Sequence, residues 1–188
     1  GGHRHRTRHR MALTADLLTA ARAVLAGSLV WLVGTGRLDA AALALAAAWA
    51  TDALDGAFAR AADGGTRLGP WDLPVDTLVG AGVLAGLGLY GSLPVPVVLG
   101  VLVVFGAAFV VLRNPFPAMV LQAVAWTGIL WRFWAERVGA GWIPVAVVGV
   151  IGVAERRRFA RVVLPAFFRG AAATVRMRRG TDYRMPHD

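Results

Sequence analysis

Apolar residues run through this chain in six long blocks, separated by short connectors rich in glycine and proline. The blocks lie near Leu17–Val33, Ala40–Ala59, Leu73–Tyr90, Val95–Leu112, Ala118–Trp134 and Trp142–Ala154. Each approaches the roughly 20 residues that a helix needs to cross about 30 Å of hydrocarbon, the last only marginally. The connectors GTGR, ADGGTRLGP, GSLPVP, RNPFP and ERVGAG carry the residues that stop helices. No block shows the strict alternation of a membrane β-barrel, and an open sheet would leave its edges unsatisfied in lipid. The pattern therefore predicts an all-α integral membrane protein, a six-transmembrane-helix bundle. Its sixth helix is positioned to run on into the basic stretch that starts at Glu155.

Composition agrees. Of 188 residues, 57% are hydrophobic and 16% charged, against roughly 45–50% and 25% for a soluble domain. Disorder is excluded, and so is an ordinary soluble nucleic-acid-binding domain, despite a net charge of +9. There is no cysteine, which rules out disulfides, thiolate chemistry and Cys-ligated metals. All 20 basic residues are arginine, so lysine Schiff-base chemistry is excluded as well. Residues 1–11 read as a basic, disordered tail, 12–168 as a six-helix catalytic domain and 169–188 as a basic C-terminal tail. The tail GGHRHRTRHR is open to two readings, attraction to an anionic lipid surface or a topology signal.

The arginines set an expected orientation. With the N-terminus inside, 16 arginines fall on the cytoplasmic side and only Arg37, Arg132 and Arg137 outside, while Arg22 sits within the first block. Both termini are then cytoplasmic. Trp31, Tyr90, Trp131, Trp134 and Trp142 form an outer aromatic belt, and Trp49 and Trp126 lie deeper, as packing residues.

The unusual residues are acids. Asp52 and Asp55 stand at i and i+3 of the second block, Asp72 and Asp76 at i and i+4 of the third. Each pair occupies one helix face, and a short connector brings the two faces together at one depth. A single carboxylate at the centre of a membrane helix costs about 2.5–3.5 kcal/mol on insertion scales. Four facing each other would repel, and a divalent cation resolves that. Hard oxygen donors suit Mg²⁺ or Mn²⁺, and two ions would clamp both oxygens of a phosphoryl displacement. Gly56 and Ala59 leave room beside the acids for a flat ligand, or for a neighbouring helix. Arg60 suits either a pyrophosphate or an interfacial anchor.

Asp52, Asp55, Gly56, Ala59 and Arg60, followed by Gly69, Asp72 and Asp76, resemble the signature D-x2-D-G-x2-A-R-x8–12-G-x3-D-x3-D of the CDP-alcohol phosphatidyltransferases. The one departure is that two residues, not three, separate Gly69 from Asp72. Asp16, Thr19 and Arg22 resemble the family's N-x-L-T-x2-R entry, with Asp in place of Asn. The resemblance implies a site in which Asp52, Asp55, Asp72 and Asp76 hold two Mg²⁺ or Mn²⁺ ions. Asp76 would also be the general base, and Gly56, Ala59, Arg60 and Gly69 would line the nucleotide pocket. The implied reaction transfers a phosphatidyl group from CDP-diacylglycerol, or a related CDP-alcohol, to the hydroxyl of a small polar acceptor and releases CMP. Glycerol 3-phosphate and inositol phosphate head the acceptors, and the phosphatidylglycerophosphate synthase branch is the nearest in its entry stretch. The implied setting is phospholipid biosynthesis at the cell membrane, with the site facing the cytoplasm and a homodimer as the family's usual assembly.

For the acceptor, Arg113, Arg156 and Arg157, with Arg158 and Arg161, are candidates if they fold toward the acids, and a polybasic membrane anchor otherwise. Gln122 faces either an acceptor cavity or a packing partner. Two other functions compete: a family member that has lost activity, and a small ion or proton transporter using the intramembrane acids. The absence of internal repeats and the clustering of the acids at one leaflet weigh against the transporter.

Overall fold

The computed structural model describes residues 2–61, 71–112 and 115–176. Among these there is no strand. Six helices stand where the apolar blocks predict them: α1 (Gly2–Gly34), α2 (Leu38–Ala61), α3 (Asp72–Leu89), α4 (Val95–Leu112), α5 (Phe116–Ala135) and α6 (Trp142–Ala154). A 3₁₀ turn, Gly139–Gly141, leads into α6. Beyond α6 come a short α7 (Arg156–Arg158), a π-helical turn at Phe159–Val163 and α8 (Leu164–Arg176).

Three expectations need revising. The basic stretch expected as a disordered tail is helical from Gly2 and continuous with α1. The sixth helix does not run straight on at Glu155. It breaks there, and the chain that follows is bent by 72°. The start of the expected C-terminal tail belongs to α8, which extends to Arg176. Residues 177–188 lie outside the described residues.

The polar residues of the central helices change how the spans read. Leu13–Gly34 and Val95–Leu112 are by themselves long and apolar enough to cross a membrane, and the bent pair of α6 with the chain after it adds a third. The intervening helices differ: the apolar stretch of α3, Leu73–Leu89, is shorter, and α2 and α5 carry polar residues, Asp52 and Asp55 on α2 and Gln122 and Arg132 on α5. In lipid such groups belong inside a bundle. The fold is thus that of a helical membrane protein.

The core lies between α1, α2, α3 and α5. Leu29, Val33, Leu45, Val83, Leu84, Leu87 and Ile129 are almost fully buried there. By contrast, α4 packs on α3 and α5 along one edge and presents Val103, Val104, Val110 and Val111 outward. A valine-rich outer face suits lipid, which is as apolar as the side chains that meet it.

The closest packing is between α1 and α3. A Cβ placed on Gly82 would stand 2.5 Å from the Ala26 carbonyl oxygen, and one on Gly86 would stand 2.6 Å from Val33 Cβ. Gly82 and Gly86 are four residues apart, so both face α1. This small-residue stripe lets the two backbones approach more closely than side chains would allow. One turn before Ala26 on α1 is Arg22. The same close approach therefore brings Arg22 against the first turns of α3.

Helices α1, α3 and α5 end in the same way. At Gly36 (φ +73°) and Gly91 (φ +78°) the chain turns left-handed, and the residue after each donates back to a carbonyl of the preceding helix. Glycine suits this position because it has no Cβ to clash. At the end of α5, Arg137 takes the same conformation with φ 54°.

Candidate active site

Three helices supply the site. Helix α1 contributes Thr19 and Arg22 at i and i+3, and α2 contributes Asp52 and Asp55 at the same spacing. Helix α3 contributes Asp76 from its first turns. The 3.6-residue repeat places each pair on one face, and the packing of α1 on both α2 and α3 brings the faces together.

At the centre is the guanidinium of Arg22, 1% exposed. Its Nη1 lies 3.0 Å from Asp52 Oδ1 and 2.5 Å from Asp76 Oδ1. Its Nη2 lies 3.1 Å from Asp55 Oδ2. The planar fork of arginine suits this task, since it holds several carboxylate oxygens in fixed directions. Thr19 completes the inner layer: its hydroxyl donates to Asp55 Oδ2 at 2.7 Å, with the Ala15 carbonyl at 3.2 Å as an alternative acceptor.

The three acids are graded in depth. The Asp55 side chain is 8% exposed, Asp76 24% and Asp52 49%. Asp55 is thus enclosed, with Arg22 and Thr19 among its polar partners, while Asp52 and Asp76 remain accessible to a ligand. Both line a small cavity with Arg22.

The structure brings Asp52, Asp55 and Asp76 together, as their spacing implies. Gly56 follows Asp55 on α2. Ala59 and Arg60 close α2 and Asp72 opens α3. The side chains of these three, like the whole of Gly69 and Arg113, lie outside the described residues. Arg156 and Arg157 are exposed and do not line the cavity at the acids. Arg158 pairs with Glu155 on its own helical stretch, at 2.7 Å.

In the sequence Arg22 stands out as part of the entry stretch and as a charge within the first apolar block, and neither feature assigns it to the acidic site. Its signal was a charged residue in the middle of an apolar block, which requires a partner inside the bundle.

Among the described residues no three acids are arranged to hold a metal ion as they stand, since the guanidinium occupies the point on which they converge. The donor set itself fits a hard divalent cation. It consists of carboxylate oxygens, it already surrounds a positive charge, and it contains neither His nor Cys.

The opposite end of the bundle carries a second polar group. Arg132 pairs with Glu136 one turn along α5, and its guanidinium lies 4.8 Å from the ring centre of Tyr90. The Tyr90 hydroxyl donates to Glu136 Oε1 at 3.0 Å. Asp39 Oδ1 accepts from the Ala140 amide at 3.1 Å, which ties the start of α2 to the turn before α6.

No curated protein and no solved structure matches the chain. The profile of one protein family does match, over residues 12–168, a range that takes in α1 from Ala12, the whole of α2 to α6 and every residue of the acidic site. With that match over most of its length, the chain belongs to the CDP-alcohol phosphatidyltransferase family.

Proposed function

We propose that the protein transfers a phosphatidyl group from CDP-diacylglycerol to a hydroxyl of a small polar acceptor, glycerol 3-phosphate or an inositol phosphate, and releases CMP. The observation that carries this reading is the convergence of Asp52, Asp55 and Asp76, from two helices, beside a cavity in a chain of this family. A soluble nucleotide headgroup and a lipid-anchored phosphate meet only at a membrane face, and these acids lie at one end of the bundle.

In this reading Asp76 is the general base. It accepts the proton of the acceptor hydroxyl as that oxygen attacks the lipid-side phosphorus. The bond from phosphorus to the CMP oxygen breaks, and CMP leaves with the electron pair. Arg22 orients Asp76 through Oδ1, and Thr19 fixes Asp55. Gly56, Ala59, Arg60 and Gly69 line the nucleotide side. Asp52, Asp55, Asp72 and Asp76 would hold Mg²⁺ or Mn²⁺, which when bound supplies positive charge against the pyrophosphate oxygens. The excess of arginine at the ends of the chain and in the α2–α3 and α4–α5 connectors supports a reading in which this end of the bundle faces the cytoplasm at the cell membrane.

The test is CMP release from CDP-diacylglycerol by the purified protein, across candidate acceptors. Turnover is expected with at least one phosphorylated polyol, and none in excess chelator. Asp76→Asn should lower it by about 10²–10⁴-fold while the melting temperature stays close to that of the unmodified protein. Full activity in that variant removes Asp76 from the role of base. Undiminished turnover without divalent ions removes the metals.

A further inference from the structure

Beneath the acids are polar atoms that this mechanism does not use. One turn along α2 from Asp52 stands Trp49, and α5 brings Trp126 and Gln122 to the same level. With Arg22, Asp52 and Asp76 they line a cavity of about 40 Å³. That is room for about two or three water-sized groups. Trp49 is only 8% exposed, and its ring meets Trp126 edge to face with centroids 5.0 Å apart. The indole Nε1 of each is buried and has no hydrogen-bond partner. Buried polar groups in folded proteins are satisfied almost without exception, so two such groups at one cavity point to a missing partner.

The chemistry of that partner follows from the donors. An indole N–H can only donate, so the partner presents an acceptor oxygen. The titratable groups around the cavity are one guanidinium and two carboxylates, which disfavours an anion. The remaining walls are Ala48, Val79 and the indole rings, which cannot replace the hydration of a phosphate. A neutral hydroxyl meets every condition. Its oxygen accepts from an indole, its hydrogen goes to a carboxylate, and the Gln122 amide offers both functions.

We propose that this cavity is a hydroxyl-binding subsite for the acceptor, in which Trp49 and Trp126 hold a second, unreacted hydroxyl of a polyol beside the one that Asp76 deprotonates. The inference rests on the phosphatidyl-transfer reading and narrows it. The acceptor is a polyol with adjacent hydroxyls, and any phosphate it carries binds outside this cavity. Trp49 and Trp126 are then specificity determinants as well as packing residues.

The experiment compares acceptors that differ by one hydroxyl: glycerol 3-phosphate with 3-hydroxypropyl phosphate, and inositol 1-phosphate with its monodeoxy analogues. The variants are Trp49→Phe and Trp126→Phe, which keep a ring and remove the N–H. In the unmodified protein kcat/KM should favour the full polyol by about tenfold or more. In each variant that ratio should fall toward one, with KM for CDP-diacylglycerol unchanged. A ratio that stays the same in both variants, with turnover intact, overturns the subsite and leaves phosphatidyl transfer standing, the cavity then holding water alone. If no acceptor is turned over, calorimetric titration of glycerol 3-phosphate and inositol 1-phosphate into the protein with CDP-diacylglycerol decides. Saturable binding that Trp126→Phe weakens about tenfold supports the subsite although transfer fails, and no binding to the unmodified protein overturns both.

Discussion

Arg22 and Arg132 sit toward opposite ends of the bundle, and each is held by carboxylates. Arg22 is 1% exposed and reaches residues 30 or more positions away, on two other helices. The Arg132 side chain is 31% exposed and pairs with Glu136, one turn along its own helix, while stacking on Tyr90. The two pairings look alike in a list of charges. They differ in what each would leave behind. Removing Arg132 leaves an acid that water can reach. Removing Arg22 leaves Asp55 buried with a negative charge and without the guanidinium beside it. A surface pair contributes about 0–1 kcal/mol, whereas a buried charge stripped of its partner costs several.

The sharpest way to break this comparison is Arg22→Met. It should cost about 3–5 kcal/mol and abolish CMP release, read by thermal unfolding in detergent and by the transfer assay. If the acids also accept a divalent ion, Mg²⁺ should raise the melting temperature of this variant more than that of the unmodified protein. A variant as stable as its parent would mean that Arg22 is dispensable to the fold.

Gly82→Ala asks whether the glycine stripe sets the position of Arg22. Its new Cβ would press on the Ala26 carbonyl, so α1 must move away from α3, at about 1–3 kcal/mol. Activity should fall more than stability alone explains, because Arg22 would shift relative to Asp76. Thr19→Val keeps the shape and removes the hydroxyl beside Asp55, at about 1–3 kcal/mol. Glu136→Gln, at the other end, should change the unfolding temperature little, at under about 1 kcal/mol, and leave CMP release unchanged. Should Glu136→Gln prove as damaging as Thr19→Val, burial is not what separates the two ends.

Much of this was legible in the sequence where the signal is local. The bounds of α4 and α6 follow from apolar runs between breakers, and the structure reproduces both. The pairing of Asp52 with Asp55 on one face follows from their spacing. What could not be read was long-range. Nothing near Arg22 in the chain names Asp52 or Asp76 as its partners, because the register of α1 against α3 is set by Gly82 and Gly86, sixty residues on. The break at Glu155 was also hidden, since an apolar run followed by arginines fits a straight helix as well as a bent one. Trp49 and Trp126 read as packing residues because an indole's apolar bulk outweighs its single N–H in any hydropathy pattern.

Arg22 has a consequence for the way the chain is made. It is synthesised about thirty residues before the first acid that will hold it. When α1 first enters the bilayer its guanidinium has no partner, and a lone arginine at the middle of a helix costs about 2.5–3.5 kcal/mol. The apolar residues of α1 offset that cost, since Leu13–Gly34 is long and apolar enough to cross a membrane with the arginine included. The cost is recovered when α2 and α3 arrive with Asp52, Asp55 and Asp76. The polar cluster of the candidate site thus also serves as the clasp that joins the first three helices.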